Sequence, residues 1–297
     1  MTRWQARDPS KLREAVYILV SVLAVLVLFS AYFPPMQNGW KSLMRAAKLV
    51  PFAEGISLDG LQVHVIDVGK ADAILIESED AAVLVDTGTI DYSEKILHYL
   101  HGRNITKLDA LVVSHADSDH LGGAENLLQS VSVEEILCSR YSNVEHVFPN
   151  ASAAQVGDVY EYGDFCLEVI GPEVKFETEN DNSLVFRLRY EAFTMLFCGD
   201  IERDAENALL FSGADLRADV LKVPHHGSDT SSSALFLEAV SPSYAVISTG
   251  EDQSRLPRNA VLKRLHDAGI EFFRTDKQGT IVFSVNGEDV KIMVERE

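Results

Sequence analysis

From Leu61 onward the chain is a succession of short apolar runs separated by turn residues, and one long uninterrupted apolar run lies ahead of them. The runs LQVHVIDVG, ADAILIES, AAVLVDTG and LDALVVSH, starting at Leu61, Ala71, Ala81 and Leu108, have the length and β-branched content of strands. Ser93–His101, between the last two, repeats its apolar residues at helical spacing. VEEILCS, FCLEVIG, SLVFRLRY, FTMLFCGD, ADVLKVPHHG, YAVISTG and TIVFSV continue the strand theme, while ERDAENALLFSG and PRNAVLKRLHDAG are helix-like and end in glycine. About eleven strands are too many for one sheet, no G-x-G-x-x-G opens a helix, and no fixed period repeats. The expectation is an α/β domain over 61–297 in which two sheets pack face to face with helices outside.

The long run is Ala15–Phe33, 19 residues without a formal charge. As a helix rising about 1.5 Å per residue it nearly matches a hydrocarbon core of about 30 Å, so it reads as one N-terminal transmembrane helix. A cleaved secretory signal is the alternative, although the run exceeds the usual signal core and no clean A-x-A site follows. Arg3, Arg7, Lys11 and Arg13 precede the run and Lys41, Arg45 and Lys48 follow it, which leans towards a cytoplasmic segment 1–14 and a globular part outside the membrane. Pro34 and Pro35 stop the helix, and 34–60 reads as a linker with a short amphipathic helix around Ser42–Val50.

Charge sharpens the division. The 297 residues carry 26 Lys+Arg against 45 Asp+Glu, net −19; residues 1–50 are +5 and the remainder −24. Such a surface repels polyanions at long range, which disfavours nonspecific tracking along nucleic acid unless bound divalent cations reverse the local field. Lys222, Arg255, Arg258, Lys263, Arg264 and Arg274 form a candidate basic strip near the C-terminal strands. Cys138, Cys166 and Cys198 lie in strand-like runs without a C-x-x-C pair and read as buried thiols.

The chemistry concentrates where apolar runs end. His115-Ala116-Asp117-Ser118-Asp119-His120 follows LDALVVS and precedes Leu121-Gly122-Gly123, so four of six consecutive residues can ligate a metal. Carboxylates at that density repel one another unless a cation sits among them, and histidine with carboxylate suits divalent first-row ions. Asp200 ends FTMLFCG, and His225 and His226 follow ADVLKVP. Donors at several strand ends can converge on one edge of a sandwich.

H-x-D-x-D-H, the G-D after a strand and Pro224-His225-His226-Gly227-Ser228 resemble the metallo-β-lactamase-fold hydrolases, in particular the extracellular hydrolase domain of ComEC-type DNA-uptake proteins. Asp67-Val68-Gly69-Lys70-Ala71-Asp72-Ala73, similar to that family's DVGQGDA, supports this, as do Asp86-Thr87-Gly88, Asn182-Ser183-Leu184-Val185 and Arg274-Thr275-Asp276. The resemblance covers about 61–285 and implies a four-layer αββα sandwich. It also implies one or two divalent ions, Zn²⁺ or Mn²⁺: His115 and Asp117 on one, Asp119 and His120 on the second, Asp200 between them, and His225 or His226 completing a site. Water on such ions deprotonates near neutral pH, and Asp119 would orient it as the catalytic carboxylate. The second of the paired histidines or Ser228 would contact substrate, and Asp67, Asp72 and Asp86 would hold histidine N–H groups or make turns. The implied activity is phosphodiester hydrolysis, with single-stranded DNA as one substrate. Small envelope phosphoesters and a binding protein with a vestigial metal site are the alternatives.

Three departures qualify the match. Asp117 stands where the superfamily's commoner H-x-H-x-D-H has histidine, a change shared with the ComEC-like group that favours harder ions such as Mn²⁺. His146 is the sole histidine between His120 and Asp200. Ser254-Arg255-Leu256-Pro257 stands where ComEC-like chains often have glycine-histidine-proline. His64, His98, His101 and His266 read as surface or satisfied core residues.

Overall fold

The structure is a computed structural model that describes residues 51–250 and 255–296 together with Tyr17 and Ser21. The anticipated span 15–33, the segment 1–14 and the helix around Ser42–Val50 lie outside the described residues, except for those two positions. Among the described residues no helix is long and apolar enough to cross a membrane.

Residues 58–297 form one compact unit, and two sheets organise it. The first contains β1 (Leu61–Val65), β2 (Ile74–Glu77), β3 (Ala82–Val85), β4 (Lys107–Val113), β5 (Ser132–Ser139), β6 (Ser152–Ala154), β14 (Ile281–Asn286) and β15 (Asp289–Val294), in the order β15-β14-β1-β2-β3-β4-β5-β6. The second runs β13 (Glu271–Arg274), β12 (Tyr244–Ile247), β11 (Val220–Lys222), β10 (Phe193–Phe197), β9 (Val185–Tyr190), β8 (Phe165–Gly171) and β7 (Val159–Tyr162). Strands β3 to β6 are parallel, as are β10 to β13, and the remaining pairs are antiparallel.

Alternation along the strands sorts the apolar residues into layers. Val63, Val83, Val85, Ala110 and Val112 of the first sheet meet Leu167, Phe186, Leu188, Met195 and Phe197 of the second in one buried cluster. Phe186 and Phe197 stack at 4.9 Å. Each fully buried side chain of this size contributes about 1.5–3 kcal/mol. The alternate residues of the second sheet, Leu196, Leu221, Ala245 and Ile247, pack on α4 (Arg203–Ser212), α5 (Ala234–Val240) and α6 (Asn259–Asp267). Over the first sheet α1 (Ser93–Gly102) packs on α3 (Ala124–Ser130), which reaches β5, while Leu84, Leu108 and Leu111 are fully buried. Two short helices, α2 (Ser118–Leu121) and α7 (Thr275–Gln278), follow β4 and β13. The sequence expectation of two facing sheets with helices outside is met. Among the described residues no disulfide joins the cysteines.

Candidate metal centre

Every candidate donor lies just beyond the C-terminal end of a strand: Asp67 and Asp72 after β1, Asp86 after β3, His115 to His120 after β4, Asp200 after β10, and His225 and His226 after β11. Because β3 and β4 run parallel in one sheet and β10 and β11 in the other, these ends can share one rim of the sandwich.

The turns that aim the donors are strained in places. Asp86, His225 and His226 have φ of +58°, +50° and +51°, a left-handed conformation that costs a non-glycine residue on the order of 1 kcal/mol or more. Gly199, at φ +51°, has no substitute: a Cβ there would lie 2.7 Å from that of Ser183 and 3.0 Å from that of Ser114. That close approach seats Asp200, whose N–H donates to Ser183 Oγ at 3.1 Å.

The strained Asp86 carboxylate accepts from Ser114 N at 2.7 Å, from Ser114 Oγ at 2.8 Å and from His120 Nδ1 at 2.8 Å. This fixes the His120 tautomer and turns Nε2 towards Asp200 Oδ1, 3.3 Å away. His226 is held likewise: its Nδ1 donates to the Ser248 carbonyl at 2.9 Å, leaving Nε2 3.5 Å from Asp119 Oδ2 and 3.6 Å from Asp200 Oδ2. The His115 ring lies 4.2 Å from that of His120, and its Nε2 is 3.7 Å from Asp117 Oδ2.

Asp119, His120, Asp200 and His226 thus each present one ligand atom, all within 4.8 Å of one another. The Nε2 atoms of His115, His120 and His226 and Oδ1 of Asp200 are buried without a hydrogen-bond partner. Orphaned buried polar atoms cost about 1–3 kcal/mol each, and two imidazoles with two carboxylates make a donor set suited to a divalent first-row cation. The residues fit a metal, whereas neither His115 nor Asp117 belongs to a donor group of this closeness among the described residues. Asp72 and Asp86 form another group around His120, but there the carboxylates are already engaged.

Opposite charges are concentrated in the cluster. Burial pushes the Asp200 carboxyl up, but His226, His120 and His115 outweigh it and hold it well below the usual range. Asp119 is likewise lifted by burial and pulled lower still by His226, His120 and Lys70. Burial works against a charged His120, yet Asp200 and Asp86 raise it well above the ordinary imidazole value.

The remaining anticipated residues stand apart from this cluster. His225 is half-buried, its Nδ1 3.1 Å from Glu202 Oε1 and its Nε2 3.9 Å from Asp200 Oδ2. Ser228 Oγ is 2.9 Å from Thr230 Oγ1, which donates to the same Glu202 oxygen at 2.7 Å. Asp67 faces Arg296, at 2.9 Å, and Lys95. Asp72 pairs with the buried Lys222 ammonium at 2.8 Å, and its N–H donates to the Asp119 carbonyl. His146 is exposed and His64 is buried between Tyr99 and Glu77.

Four of the six residues of the anticipated basic strip have partners within the chain, Lys263 at the surface. Besides Lys222, Lys263 pairs with Asp267, Arg264 donates to the Ser231 and Ser232 carbonyls, and Arg274 pairs with Asp276; Arg255 and Arg258 are exposed. Sequence reasoning did not single out Ser114, Ser248, Glu202 or Glu179. Glu179 accepts from Ala116 N at 3.0 Å and Asn143 N at 2.9 Å, tying the donor loop to the turn after β5, a link across 63 positions that no local signal announces.

Residues 66–251 match the Metallo-beta-lactamase superfamily. The chain is 32% identical over 253 residues to ComE operon protein 3 of Bacillus subtilis, covering 75% of this chain and 33% of that protein. It is 31% identical over 256 residues to competence protein ComA of Neisseria gonorrhoeae, covering 85% and 36%. It therefore spans about a third of the length of these ComEC-type competence proteins. Among solved structures it is similar in fold to YhfI of Bacillus subtilis, with TM-score 0.53 and 17% identity over 76% of this chain and 99% of that one. Igni18, a metallo hydrolase of Ignicoccus hospitalis, aligns with TM-score 0.53 and 14% identity over 76% and 100%.

Proposed function

The chain belongs to the metallo-β-lactamase superfamily, and we propose that it is a metal-dependent phosphodiesterase whose substrate class includes single-stranded DNA. The observation that carries this is the convergence of Asp119, His120, Asp200 and His226, with unpartnered Nε2 atoms, at the rim of the two sheets. The strained turns around it and the names of the competence relatives support the same reading.

Asp119, His120, Asp200 and His226 would hold one ion, Zn²⁺ or Mn²⁺, and His115 and Asp117 with Asp200 a second. When bound, such ions supply a water of lowered pKa and positive charge against the phosphate. Asp86 and the Ser248 carbonyl keep His120 and His226 in the tautomer that offers Nε2. Asp119, partly exposed at the mouth, would orient the attacking water. His225, whose Nδ1 lies 3.1 Å from Glu202 Oε1, would donate a hydrogen bond to a substrate oxygen. In this reading Ala15–Phe33 anchors the chain and the catalytic unit faces outside the cell.

The test is metal content and hydrolysis by the 297-residue chain, with bis(p-nitrophenyl) phosphate and single-stranded DNA side by side under Mn²⁺, Mg²⁺ and Zn²⁺. Cleavage of both, lost in the His115→Ala/Asp119→Ala double variant, is expected. Cleavage of the small diester alone would favour a phosphoesterase of small envelope substrates, a reading supported by the −24 charge and the internal engagement of Lys222, Arg264 and Arg274. Silence on both, with no bound metal, would leave a binding protein.

A further inference from the structure

His115 and Asp117 stand apart from the four donors that converge, and a carboxylate from a distant loop holds the peptide between them. His115 is fixed by its own contacts: its ring is buried 4.2 Å from that of His120, and its Nδ1 lies 3.0 Å from Ser114 Oγ. Its Nε2 is buried without a hydrogen-bond partner and lies 3.7 Å from Asp117 Oδ2, too far for a hydrogen bond. Asp117 has 50% of its side chain exposed, so packing does not fix it, and its place depends on the backbone it shares with Ala116.

Glu179 grips that backbone. Its Oε1 accepts from Ala116 N at 3.0 Å, from Ser142 Oγ at 2.5 Å and from Asn143 N at 2.9 Å, and its Oε2 accepts from Asn143 Nδ2 at 2.6 Å. Four donors fill the lone-pair capacity of a carboxylate. The loop beneath Glu179 is itself braced. Asn182 closes it, accepting from Phe176 N at 2.8 Å and donating to the Phe176 and Thr178 carbonyls at 3.1 and 2.8 Å. Asp181 pins it to the start of α4, accepting from Glu202 N at 2.7 Å and Ala205 N at 3.3 Å. Asp181 and Asn182 are both buried. Ser183 Oγ accepts from Asp200 N, and Leu184 N donates to the Ser114 carbonyl at 2.8 Å. One braced loop thus sets Ser114, Ala116 and Asp200 in a common frame. Ser142 and Asn143 alone would make Glu179 a clasp for the turn after β5; the bond to Ala116 N carries that clasp to the donor loop.

We propose that Glu179 is a positioning residue for the outer limb of the candidate metal centre: by holding the amide of Ala116, it keeps Asp117 beside the orphaned His115 Nε2 so that one divalent ion can join the two. The proposal rests on the reading that His115 and Asp117 hold a second ion, and adds to it the residue that keeps them together. Partners behind a metal ligand act by fixing its direction, and here the partner holds the backbone between two ligands rather than a ring N–H.

The test is Mn²⁺ calorimetry on the 297-residue chain, read beside the electron paramagnetic resonance spectrum, which distinguishes two neighbouring Mn²⁺ ions from a lone one. Wild type is compared with Glu179→Ala, Glu179→Gln and Asn143→Ala. Wild type should take up two ions, and Glu179→Ala should weaken the second step about 10- to 100-fold with the first unchanged. The spectrum of paired ions should fade with it at equal loading. Glu179→Gln keeps an oxygen for Ala116 N and should recover most of the loss. Asn143→Ala removes the Oε2 donor but leaves the bond to Ala116, so both constants should hold even where its melting temperature falls. Equal weakening of both steps in Glu179→Ala overturns the proposal, and so does a lower melting temperature with both constants intact, which would leave Glu179 a structural clasp. A wild type that binds one ion overturns it together with the second-ion reading. Two ions without diester cleavage would sink the phosphodiesterase reading alone and leave the Glu179 comparison standing.

Discussion

Asp86 and Lys222 illustrate two ways a buried charge can serve a site. Asp86 spends its carboxylate on Ser114 and on His120 Nδ1, so it orients an imidazole without being among the four converging donors. Asp86→Asn places an amide against a ring N–H and should weaken Mn²⁺ binding about 10- to 100-fold, read by calorimetry. A fall in melting temperature with the Mn²⁺ constant intact would reduce Asp86 to a turn former. Lys222→Met strands Asp72 without its counter-charge and should cost about 3–5 kcal/mol in denaturant unfolding, with much of it recovered in Lys222→Met/Asp72→Asn. If the double variant is no better than the single one, the pair is not what holds Asp72. The donor string His115–His120 was legible because six consecutive residues carry it. The partner of Lys222 was not, since the strand alternation of Val220, Leu221 and Lys222 turns that lysine inward only once Val220 is known to face the other sheet.

The elements show a sharper division between what the sequence reveals and what it conceals. All eleven anticipated strands form, and the four that were not anticipated, β6, β7, β13 and β15, are the four sheet edges. An edge strand pairs on one side and faces solvent on the other, so it needs no continuous apolar run; Ser152–Ala154 and Glu271–Arg274 lack one. The three helices anticipated after Leu61 form as well, whereas α2, α3, α5 and α7, of four to seven residues, are too short to establish a period. Beneath α1, His64 of β1 meets Tyr99 of α1 at 2.8 Å and Glu77 of β2 at 2.7 Å, and Arg103 reaches Glu77. Burial depresses His64 despite Glu77, so the folded state favours its neutral form. A base depressed on folding gives stability that is complete above its ordinary value of 6.5 and declines as pH falls below it. Glu77 is lifted by burial and pulled down further by His64 and Arg103, so its contribution is lost only below about 4.5. Thermal unfolding of the wild type should therefore weaken between pH 6.5 and 5, and His64→Gln should flatten that stretch while costing about 1–3 kcal/mol at pH 7. An unchanged slope in His64→Gln would remove His64 as its source.

Charge is the property of the molecule that bears most directly on the choice of substrate. The sequence suggests a strip of six cations beside a −24 domain; the fold engages Lys222, Arg264 and Arg274 in buried or half-buried contacts, while Lys263 pairs with Asp267 at the surface. Arg255 and Arg258 are exposed just beyond the loop after β12, and Arg258 N donates to the Gly227 carbonyl behind His226. A single strand engaging these two would release between one and two counterions, since each phosphate neutralised contributes roughly 0.7 to the slope of log affinity on log salt. Retention on single-stranded DNA should thus be weak, with a slope of about −1.4, and should flatten further in Arg255→Ala/Arg258→Ala. A DNA-specific role for the arginines requires that this variant lose DNA cleavage at moderate salt more than it loses bis(p-nitrophenyl) phosphate cleavage, because the small diester reaches only the mouth. Equal loss on both substrates would place the arginines in the support of the His225–Gly227 turn, and a slope steeper than about −4 would mean that residues 1–50, which carry +5, take part in holding the strand.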